Sequence, residues 1–511
     1  MPILGSIIKA AIELRGKPPK ELSPGQGIEL QKKVLKKLLR RAQLTSFGEY
    51  FNFHEIIKSK DVVKAYKQNV SVYNYNKIFK SWWYRSLSGE TYVTWPGKIK
   101  YFALSSGTSE ASSKHIPVTH EMLKAIKKIS ARQVFSLAQY DFPKEFYNKG
   151  ILMLGGSTHL QFNGTYYEGD LSGISASNIP FWFQHFYKPG KRISKEREWS
   201  TKLDEIVRKA KDWDMGVICG VPAWLQILLE RIIDYYQVDN IHDIWPNLSI
   251  YVHGGVSFAP YKKGFEKLLA KPLTYIETYL ASEGFIAFQN RPEAEGMQMV
   301  LDNGIFYEFV PFNENNFDSE GAIIENPETF TIDEIEEGKE YALLLSSCAG
   351  AWRYLIGDTI KFTNKRLAEI VITGRTKHFL NLCGEHMSQE NMNMAIKKLE
   401  DGLNIDVREF AVAGIKYGSL FAHKWYIGTD DFLDPNVAKE QIDKDIKVLN
   451  DDYRVERIAA IKDVIVEVLP SHLFYDWMKE KGKIGGQHKF PRVLKNGQLQ
   501  EWDKFIEKNK V

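Results

Sequence analysis

Apolar residues recur at helical spacing in several segments of the chain. Between residues 28 and 42, Val34, Leu38 and Leu39 fall on one face and a run of lysines and arginines on the other. This pattern predicts a surface helix whose basic face is solvated. Residues 120–138 predict a second helix, with Thr119 as a candidate N-cap. The first sixteen residues are apolar on one face and lack a leading basic region, so we interpret them as a packed helix and not a signal peptide.

Short apolar runs that end in glycine alternate with helical segments through the middle of the chain. This pattern predicts buried strands at residues 151–154, 215–221 and 250–253. It also predicts a helix at residues 222–235, with Pro222 in its first turn. Strand, loop and helix in repetition predict an α/β domain with parallel sheets covered by helices. Ligands of such sheets bind at the carboxyl ends of the strands. Beyond residue 375, helical and strand patterns alternate as in a small α+β unit.

Length, charge and cysteine content narrow the classes of function. A chain of 511 residues is too long for one core and predicts two or more domains. A net charge of +4 indicates neither a nucleic acid nor an anionic membrane as partner. No stretch approaches the roughly 18 apolar residues of a membrane span, so we expect no stable membrane insertion. The three cysteines show neither a disulfide nor a zinc spacing and fit a reducing cytoplasm.

A cluster of small hydroxyl residues follows the strand-like segment 101–104. It consists of Ser105, Ser106, Gly107, Thr108 and Ser109, and Lys114 follows. Backbone N–H groups, hydroxyls and one ammonium group together suit a polyphosphate. The alternative is a solvated Ser/Gly turn. The cluster is not a Walker loop, because that motif places a glycine directly before its lysine.

Two further segments carry candidate nucleotide contacts. In residues 275–289, the ring of Tyr279 can stack on a purine and Glu283 can hold Mg²⁺ between phosphates, although an edge glutamate and a core tyrosine are equally ordinary there. In residues 341–361, Gly357 and Asp358 predict a tight turn whose carboxylate accepts hydrogen bonds from ribose hydroxyls. The alternative for Asp358 is the cap of a hairpin.

Five motifs in this order resemble those of adenylate-forming enzymes, in the form found in the auxin-responsive Gretchen Hagen 3 family of acyl-acid amido synthetases. They are the Ser-Ser-Gly-Thr-Ser loop, the Tyr279–Glu283 segment, Trp352-Arg353-Tyr354 with Gly357-Asp358, Gly374-Arg375, and the segment from Gln487 to Arg492. The resemblance extends over roughly residues 25–500. It departs from the family at Ala111, in place of a glycine, at Leu280, in place of a smaller residue, and at His386, in place of a lysine.

The resemblance implies a large nucleotide- and acyl-binding domain over residues 1–375 and a small mobile domain over residues 376–511. It implies ATP and Mg²⁺ as cofactors. The two substrates that it implies are a carboxylic acid and an amine, and the amine is an amino acid. The residues that it assigns are catalytic Lys489, Arg375 and His386; nucleotide-binding Ser105, Ser106, Gly107, Thr108, Ser109, Lys114, Gly254, Gly255, Tyr279, Ser282 and Asp358; acyl-binding Thr278, Leu280, Phe181, Val221 and Trp224; and the metal ligand Glu283.

The implied reaction has two halves. The acid attacks the α-phosphate of ATP and forms an acyl-adenylate, and the amine then displaces AMP. Such chemistry relies on alignment and on screening of the phosphates, which agrees with the lack of a Ser-His-Asp or Cys-His pattern. Three alternatives stay open from the sequence. The first is an acyl-coenzyme A ligase, which differs in its acceptor, and the second is a non-catalytic acyl- or nucleotide-binding protein. The third is a structural scaffold, which would not need Glu283, Asp358, Arg375 and Lys489 together.

Overall fold

The computed structural model describes residues 2–106, 113–179, 181–255, 258–318, 321–376, 379–385, 387–481 and 490–509. The chain divides into two compact units. The large unit comprises residues 1–105 and 115–376, and the small unit comprises residues 106–114 and 377–511.

The helices in chain order are α1 (Pro2–Arg15), α2 (Gln26–Ala42), α3 (Ser46–Tyr50), α4 (Phe53–Lys58), α5 (Val62–Asn69), α6 (Tyr75–Ile78), α7 (Tyr84–Leu87), α8 (His120–Ser136), α9 (Leu171–Ser177), α10 (Lys191–Ser194), α11 (Trp199–Lys209), α12 (Pro222–Tyr236), α13 (Ala259–Glu266), α14 (Gln389–Leu403), α15 (Pro435–Leu449), α16 (Asp451–Ala459), α17 (His472–Glu480) and α18 (Asn496–Asn509). The predicted helices at residues 28–42 and 120–138 are thus confirmed as α2 and α8.

The strands in chain order are β1 (Tyr101–Ser106), β2 (Ser113–Val118), β3 (Gly150–Leu154), β4 (Gln161–Phe162), β5 (Tyr167–Gly169), β6 (Tyr187–Lys188), β7 (Met215–Gly220), β8 (Ile250–Gly254), β9 (Thr274–Ala281), β10 (Gly284–Phe288), β11 (Met297–Met299), β12 (Ile305–Pro311), β13 (Glu340–Ser347), β14 (Ala351–Asn364), β15 (Glu369–Arg375), β16 (Phe379–Leu380), β17 (Met387–Ser388), β18 (Val407–Tyr417), β19 (Leu420–Thr429) and β20 (Ile461–Leu469).

The main sheet of the large unit has a parallel part and an antiparallel part. Among the described residues its order is β12-β13-β14-β15-β11-β10-β9-β8-β7-β3-β6. From β6 to β9 every pairing is parallel, as the alternating pattern predicts. From β9 to β12 every pairing is antiparallel, which the sequence reasoning did not predict. The chain reverses at the β9–β10 hairpin, because a connection of two residues permits only antiparallel pairing.

Aromatic packing anchors the antiparallel part. The Trp352 ring on β14 is fully buried and stacks on Phe47 at a centroid distance of 5.8 Å. Its indole N–H donates to the Thr94 carbonyl at 3.0 Å. This core connects α2–α5 to the sheet and so fixes the strands that carry the motifs at residues 352–358.

The small unit is an α+β fold, as predicted. In its three-stranded sheet β19 lies centrally, antiparallel to β18 and parallel to β20. A second core joins β18 and β19 to α17 and α18 through Tyr426, Phe474, Trp477 and Trp502.

A fully buried histidine–glutamate pair fixes the start of the small unit. Nε2 of His423 lies 3.0 Å from Oε1 of Glu385, and neither side chain is exposed to solvent. The backbone N–H groups of Leu382 and Cys383 also donate to this carboxylate. Burial alone raises the pKa of Glu385, but the hydrogen bonds and charge of its partners outweigh burial, so its pKa is lowered.

This lowered pKa predicts a loss of stability in acid that depends on Glu385. The carboxylate stabilises the folded unit above the pKa of an unfolded glutamate, about 4.3, and this contribution disappears as the pH falls through the lower folded value. We expect the protection factors of the β19 amide protons, which correct for the intrinsic pH dependence of exchange, to fall between about pH 5 and pH 3, and those of Glu385→Gln to be low already at neutral pH. Glu467→Gln, on neighbouring β20 with a side chain 21% exposed, is the control. Equal pH profiles for wild type and Glu385→Gln would contradict this assignment.

Candidate active site

Ser282 and Glu283 form the two-residue tip of the β9–β10 hairpin. Ala281 and Gly284 pair directly on either side of the tip. Gly284 has a φ of +148°, a conformation in which a side chain is strained, and a β-carbon there would lie 2.7 Å from Ile305. Glu283 is only 7% exposed and hydrogen-bonds to the Tyr354 hydroxyl. The hairpin therefore holds one carboxylate in a largely desolvated position.

Asp358 does not lie in a tight turn, so that prediction is wrong. The residue lies within the continuous strand β14, directly opposite Arg375 on β15. Three residues of β14, from 356 to 358, face the single residue Leu343 of β13. This is a β-bulge, and Gly357 adopts the left-handed φ of +95° that it requires. A Gly-Asp pair suits a bulge as well as it suits a turn, because both need a glycine with positive φ.

Both oxygens of the Asp358 carboxylate accept hydrogen bonds from charged or phenolic partners. Arg375 Nε donates to Oδ1 at 2.6 Å, and the Tyr279 hydroxyl donates to Oδ2 at 2.5 Å. An ionised carboxylate has about four acceptor positions, so two positions remain after these bonds. The site therefore presents a fixed carboxylate that can accept two further hydroxyl donors.

The electrostatics keep Tyr279 and Arg375 each in one protonation state. Burial and the adjacent Asp358 carboxylate raise the pKa of Tyr279 well above its usual value. Burial alone lowers the pKa of Arg375, but the ion pair with Asp358 reverses that effect and raises it. Tyr279 thus remains a neutral donor and Arg375 a cation throughout the physiological range.

Four predicted residues meet at the carboxyl ends of β7, β8 and β9. Gly254 pairs with Thr278, and a β-carbon at Gly254 would lie 2.2 Å from the Thr278 carbonyl oxygen, so only glycine fits. Gly255 has a φ of +83°, and the neighbouring side chain is Val221 at the start of α12. This is the edge at which parallel sheets bind ligands.

Two buried polar atoms at this edge lack hydrogen-bond partners among the described residues. They are Nδ1 of His253 and Oγ1 of Thr278. Burial lowers the pKa of His253 to about 4, so its imidazole is neutral at physiological pH. Because a buried polar group without a partner is costly, such atoms indicate a place where a polar ligand completes the structure.

The other predicted residues are located as follows. Trp224 on α12 packs edge-on against Trp199 at a centroid distance of 4.3 Å. Leu280 on β9 is 36% exposed. Phe181 begins a short 3₁₀ helix that ends at His185. Ser105 and Ser106 end β1, and Lys114 lies on β2. Gly107, Thr108, Ser109, His386 and Lys489 lie outside the described residues.

The structure brings two further residues to this region: Tyr354, which the sequence reasoning placed in a motif but gave no role, and Glu277, which it missed. Tyr354 bonds to Glu283, and Glu277 lies opposite His253 across the parallel β8–β9 pair. Burial raises the pKa of Glu277. Strand alternation places Glu277 on the same face as Tyr279, which is a signal that the sequence contains. The pairing with His253 requires the strand order, which the sequence does not specify.

The described residues contain neither a candidate membrane span nor a candidate metal cluster. Over residues 2–509, apart from the gaps given above, no helix is both long and apolar enough to cross a bilayer. Within the same residues, no three His, Cys, Asp or Glu side chains are grouped so that they could hold a metal ion.

Three models of one protein family match the chain in sequence order. They describe the GH3 family N-terminal domain at residues 24–203, the GH3 family central domain at residues 298–375 and the GH3 family C-terminal domain at residues 389–498. The chain belongs to the GH3 family. The resemblance to the Gretchen Hagen 3 family is therefore confirmed.

Several similar proteins are GH3 amido synthetases of plants. Indole-3-acetic acid-amido synthetase GH3.2 of Arabidopsis thaliana is 26% identical over 204 residues, which are 38% of this chain and 36% of the relative. Jasmonoyl–L-amino acid synthetase GH3.5 of Oryza sativa subsp. japonica is 23% identical over 465 residues, 76% of this chain and 78% of the relative. The match to the first of these GH3 relatives thus spans about a third of its length.

Solved structures confirm the fold. GH3.15 acyl acid amido synthetase superposes with a TM-score of 0.56 at 16% identity, over 94% of this chain and 93% of that chain. A 2-hydroxyisobutyryl-CoA ligase superposes with a TM-score of 0.58 at 11% identity, over 96% of this chain and 94% of that chain. The GH3 chain therefore has the fold of adenylate-forming enzymes, as predicted.

Proposed function

We propose that this GH3 protein is an ATP- and Mg²⁺-dependent acyl-acid amido synthetase, which adenylates a carboxylic acid and transfers the acyl group to an amino acid. The observation that carries the proposal is the Asp358 carboxylate, held by Arg375 and Tyr279 with two acceptor positions left. The 2′- and 3′-hydroxyls of a ribose are two adjacent donors of the kind that such a carboxylate binds.

The neighbouring residues extend the nucleotide site in this proposal. The ring of Tyr279 lies against the adenine, and Gly254 and Gly255 let the backbone approach the ligand closely. In this proposal the phosphates are bound by Ser105, Ser106, Gly107, Thr108, Ser109 and Lys114. Ser282, at the hairpin tip, is a further hydroxyl donor of the proposed nucleotide site. Hydroxyls, backbone N–H groups and an ammonium group are the donors that phosphate oxygens need.

Glu283 fits the role of a magnesium ligand. Mg²⁺ in nucleotide enzymes uses one or two carboxylates together with phosphate oxygens and water, so a single buried carboxylate suffices. Glu283 is 7% exposed and is oriented by Tyr354. The ion would neutralise negative charge on the phosphates.

The first half-reaction joins the acid to AMP. A carboxylate oxygen attacks the α-phosphorus of ATP, a P–O bond forms, and the bond to pyrophosphate breaks. The acid is positioned by Thr278, Leu280, Phe181, Val221 and Trp224. The buried hydroxyl of Thr278, Oγ1, can donate a hydrogen bond to the carboxylate of the acid. Arg375 and Lys489 stabilise the charge that develops at the α-phosphate, and His386 stands where the family has a lysine.

The second half-reaction forms the amide. The amine nitrogen attacks the acyl carbon, the C–O bond to AMP breaks, and the nitrogen loses one proton. The small domain at residues 376–511 moves between the two half-reactions. The names of the plant relatives, an indole-3-acetic acid-amido synthetase and a jasmonoyl–L-amino acid synthetase, support an amino acid as acceptor.

Pyrophosphate release tests the proposal directly. Purified protein with ATP and Mg²⁺ is assayed against a panel of aryl, indolyl and fatty carboxylic acids, each alone, with mixed amino acids, or with coenzyme A. We expect release that depends on the acid, and AMP formation that amino acids accelerate. Acceleration by coenzyme A alone would instead establish a thioester-forming ligase. ATP binding without any release across the panel would establish a non-catalytic nucleotide-binding protein.

A further inference from the structure

A cavity lies in the large unit, between helices α2 and α8. Its volume is about 730 Å³, which is within the range of small-molecule sites. None of its lining residues belongs to the candidate active site described above. It is therefore a separate concave feature that the proposed reaction does not use.

The rim of this cavity is strongly cationic. The cations that line it include Lys33, Lys37 and Arg40 of α2, and Lys124 and Lys128 of α8. None of these five forms an ion pair with a residue that the structure describes. The lining also contains two carboxylates, and both are already neutralised. The two pairs are Arg41 with Glu121 at 3.2 Å and Arg132 with Asp302 at 2.6 Å.

The floor of the cavity is apolar. Leu38 and Trp95 are each 3% exposed, and Val34 and Cys348 are nearly as buried. Burial raises the pKa of the Cys348 thiol to about 12, so the floor carries no charge there. Ala125 on α8 completes the floor.

We propose that this cavity binds a soluble organic anion, a molecule with an apolar body and an acidic head group such as a carboxylate, sulfonate or phosphate. The basic face of α2 was predicted to be only solvated. A solvated basic face has no need of an apolar recess, whereas here five unpaired cations surround one. An apolar body displaces water from the part of the floor that is still exposed. The cationic rim attracts the anionic head, since both carboxylates of the lining are already paired with arginines.

Charge-reversal variants with matched controls test this site. The probe is 8-anilinonaphthalene-1-sulfonate, whose fluorescence rises in an apolar environment. The double variant Lys37→Glu/Lys124→Glu reverses one lining cation on each helix. The double variant Lys36→Glu/Lys127→Glu makes the same change of net charge on the same two helices, at residues that do not line the cavity.

We expect Lys37→Glu/Lys124→Glu to weaken probe binding at least about tenfold, and the control to stay within about twofold of wild type. Ala125→Leu, which fills the floor without changing charge, should weaken binding by a similar factor. Thermal unfolding of each variant checks that the fold persists. Equal affinities for the two double variants, or unchanged binding to Ala125→Leu, would overturn the proposal.

A vesicle assay separates the soluble ligand from a membrane surface. Sedimentation with vesicles of phosphatidylglycerol and phosphatidylcholine measures attraction to an anionic bilayer. We expect dodecyl phosphate below its micellar concentration to displace the probe, and the vesicles to bind weakly. Strong vesicle binding that Lys37→Glu/Lys124→Glu abolishes, without displacement by dodecyl phosphate, would show a membrane-facing surface instead.

Discussion

Asp358→Ala is expected to lower kcat/KM for ATP in acid-dependent pyrophosphate release by about 10³-fold. The substitution removes two charge-assisted hydrogen bonds to the ribose, each worth about 2 kcal/mol, and about 1.4 kcal/mol corresponds to a factor of ten in rate. It also leaves Arg375 without the carboxylate that orients it at 2.6 Å. Initial rates over a range of ATP concentrations measure the effect.

Glu369→Ala is the matched control for this experiment. Glu369 lies at the opposite end of strand β15 from Arg375 and forms an ion pair with Arg291. Glu369 is only 2% exposed. Both variants therefore remove a carboxylate that is ion-paired to an arginine on this part of the sheet. We expect Glu369→Ala to lose stability while its kcat/KM stays near that of wild type. Equal losses of kcat/KM in the two variants would mean that Asp358 acts only through the stability of the sheet.

Tyr279→Phe refines the same test. It keeps the aromatic ring but removes the hydroxyl that donates to Asp358 Oδ2. We expect a loss of about tenfold in kcat/KM, since one hydrogen bond to a charged group is worth about 1.5 kcal/mol. An unchanged value would show that Arg375 alone is enough to position the carboxylate.

The sequence predicted the elements of this site better than their arrangement. The parallel part of the sheet could be predicted from short apolar runs that end in glycine. Residues 250–255 are such a run, and the pattern is typical of a buried strand that leads into a loop. The meeting of Tyr279 with Asp358 does not follow from any local pattern. Tyr279 lies on β9 and Asp358 on β14, and the sheet order places β10, β11 and β15 between these two strands. The hydrogen bond between the two side chains therefore requires the sheet to curl.

The bulge at Gly357 shows a second limit of local patterns. A glycine with positive φ followed by an aspartate is compatible with both a turn and a bulge. The choice depends on whether β14 keeps its partners β13 and β15 past that point, which it does. Long-range pairing therefore decides a feature that the local sequence leaves ambiguous.

The same motif also contains residues that stabilise the protein and do not face a nucleotide. Arg353, next to Trp352, is 5% exposed and makes an ion pair with Glu308, which is 1% exposed. Its Nη1 also donates to the carbonyl oxygens of Lys67 and Val70, at 2.8 and 2.7 Å. Of the Trp-Arg-Tyr triplet, only Tyr354 reaches the candidate site, through Glu283.

Arg353→Met is accordingly expected to reduce the free energy of unfolding of the large unit by about 4 kcal/mol, the cost of leaving one partner of a buried ion pair alone. The methionine fills much of the volume but leaves the Glu308 carboxylate and two backbone carbonyls without donors. Urea titration followed by tryptophan fluorescence measures the loss. Arg132→Met breaks the Arg132–Asp302 pair, whose side chains are 38% and 41% exposed, and should cost at most about 1 kcal/mol.

A double variant separates the charge from the packing. If the cost of Arg353→Met comes from the unpaired Glu308, then Glu308→Gln/Arg353→Met should recover part of it, because the amide removes the buried negative charge. The carbonyls of Lys67 and Val70 stay without donors in both variants, so recovery should be incomplete. A double variant no more stable than Arg353→Met would place the whole effect in those backbone bonds. In that case Arg353 would act chiefly as a tie between β14 and the end of α5, and the ion pair would be secondary.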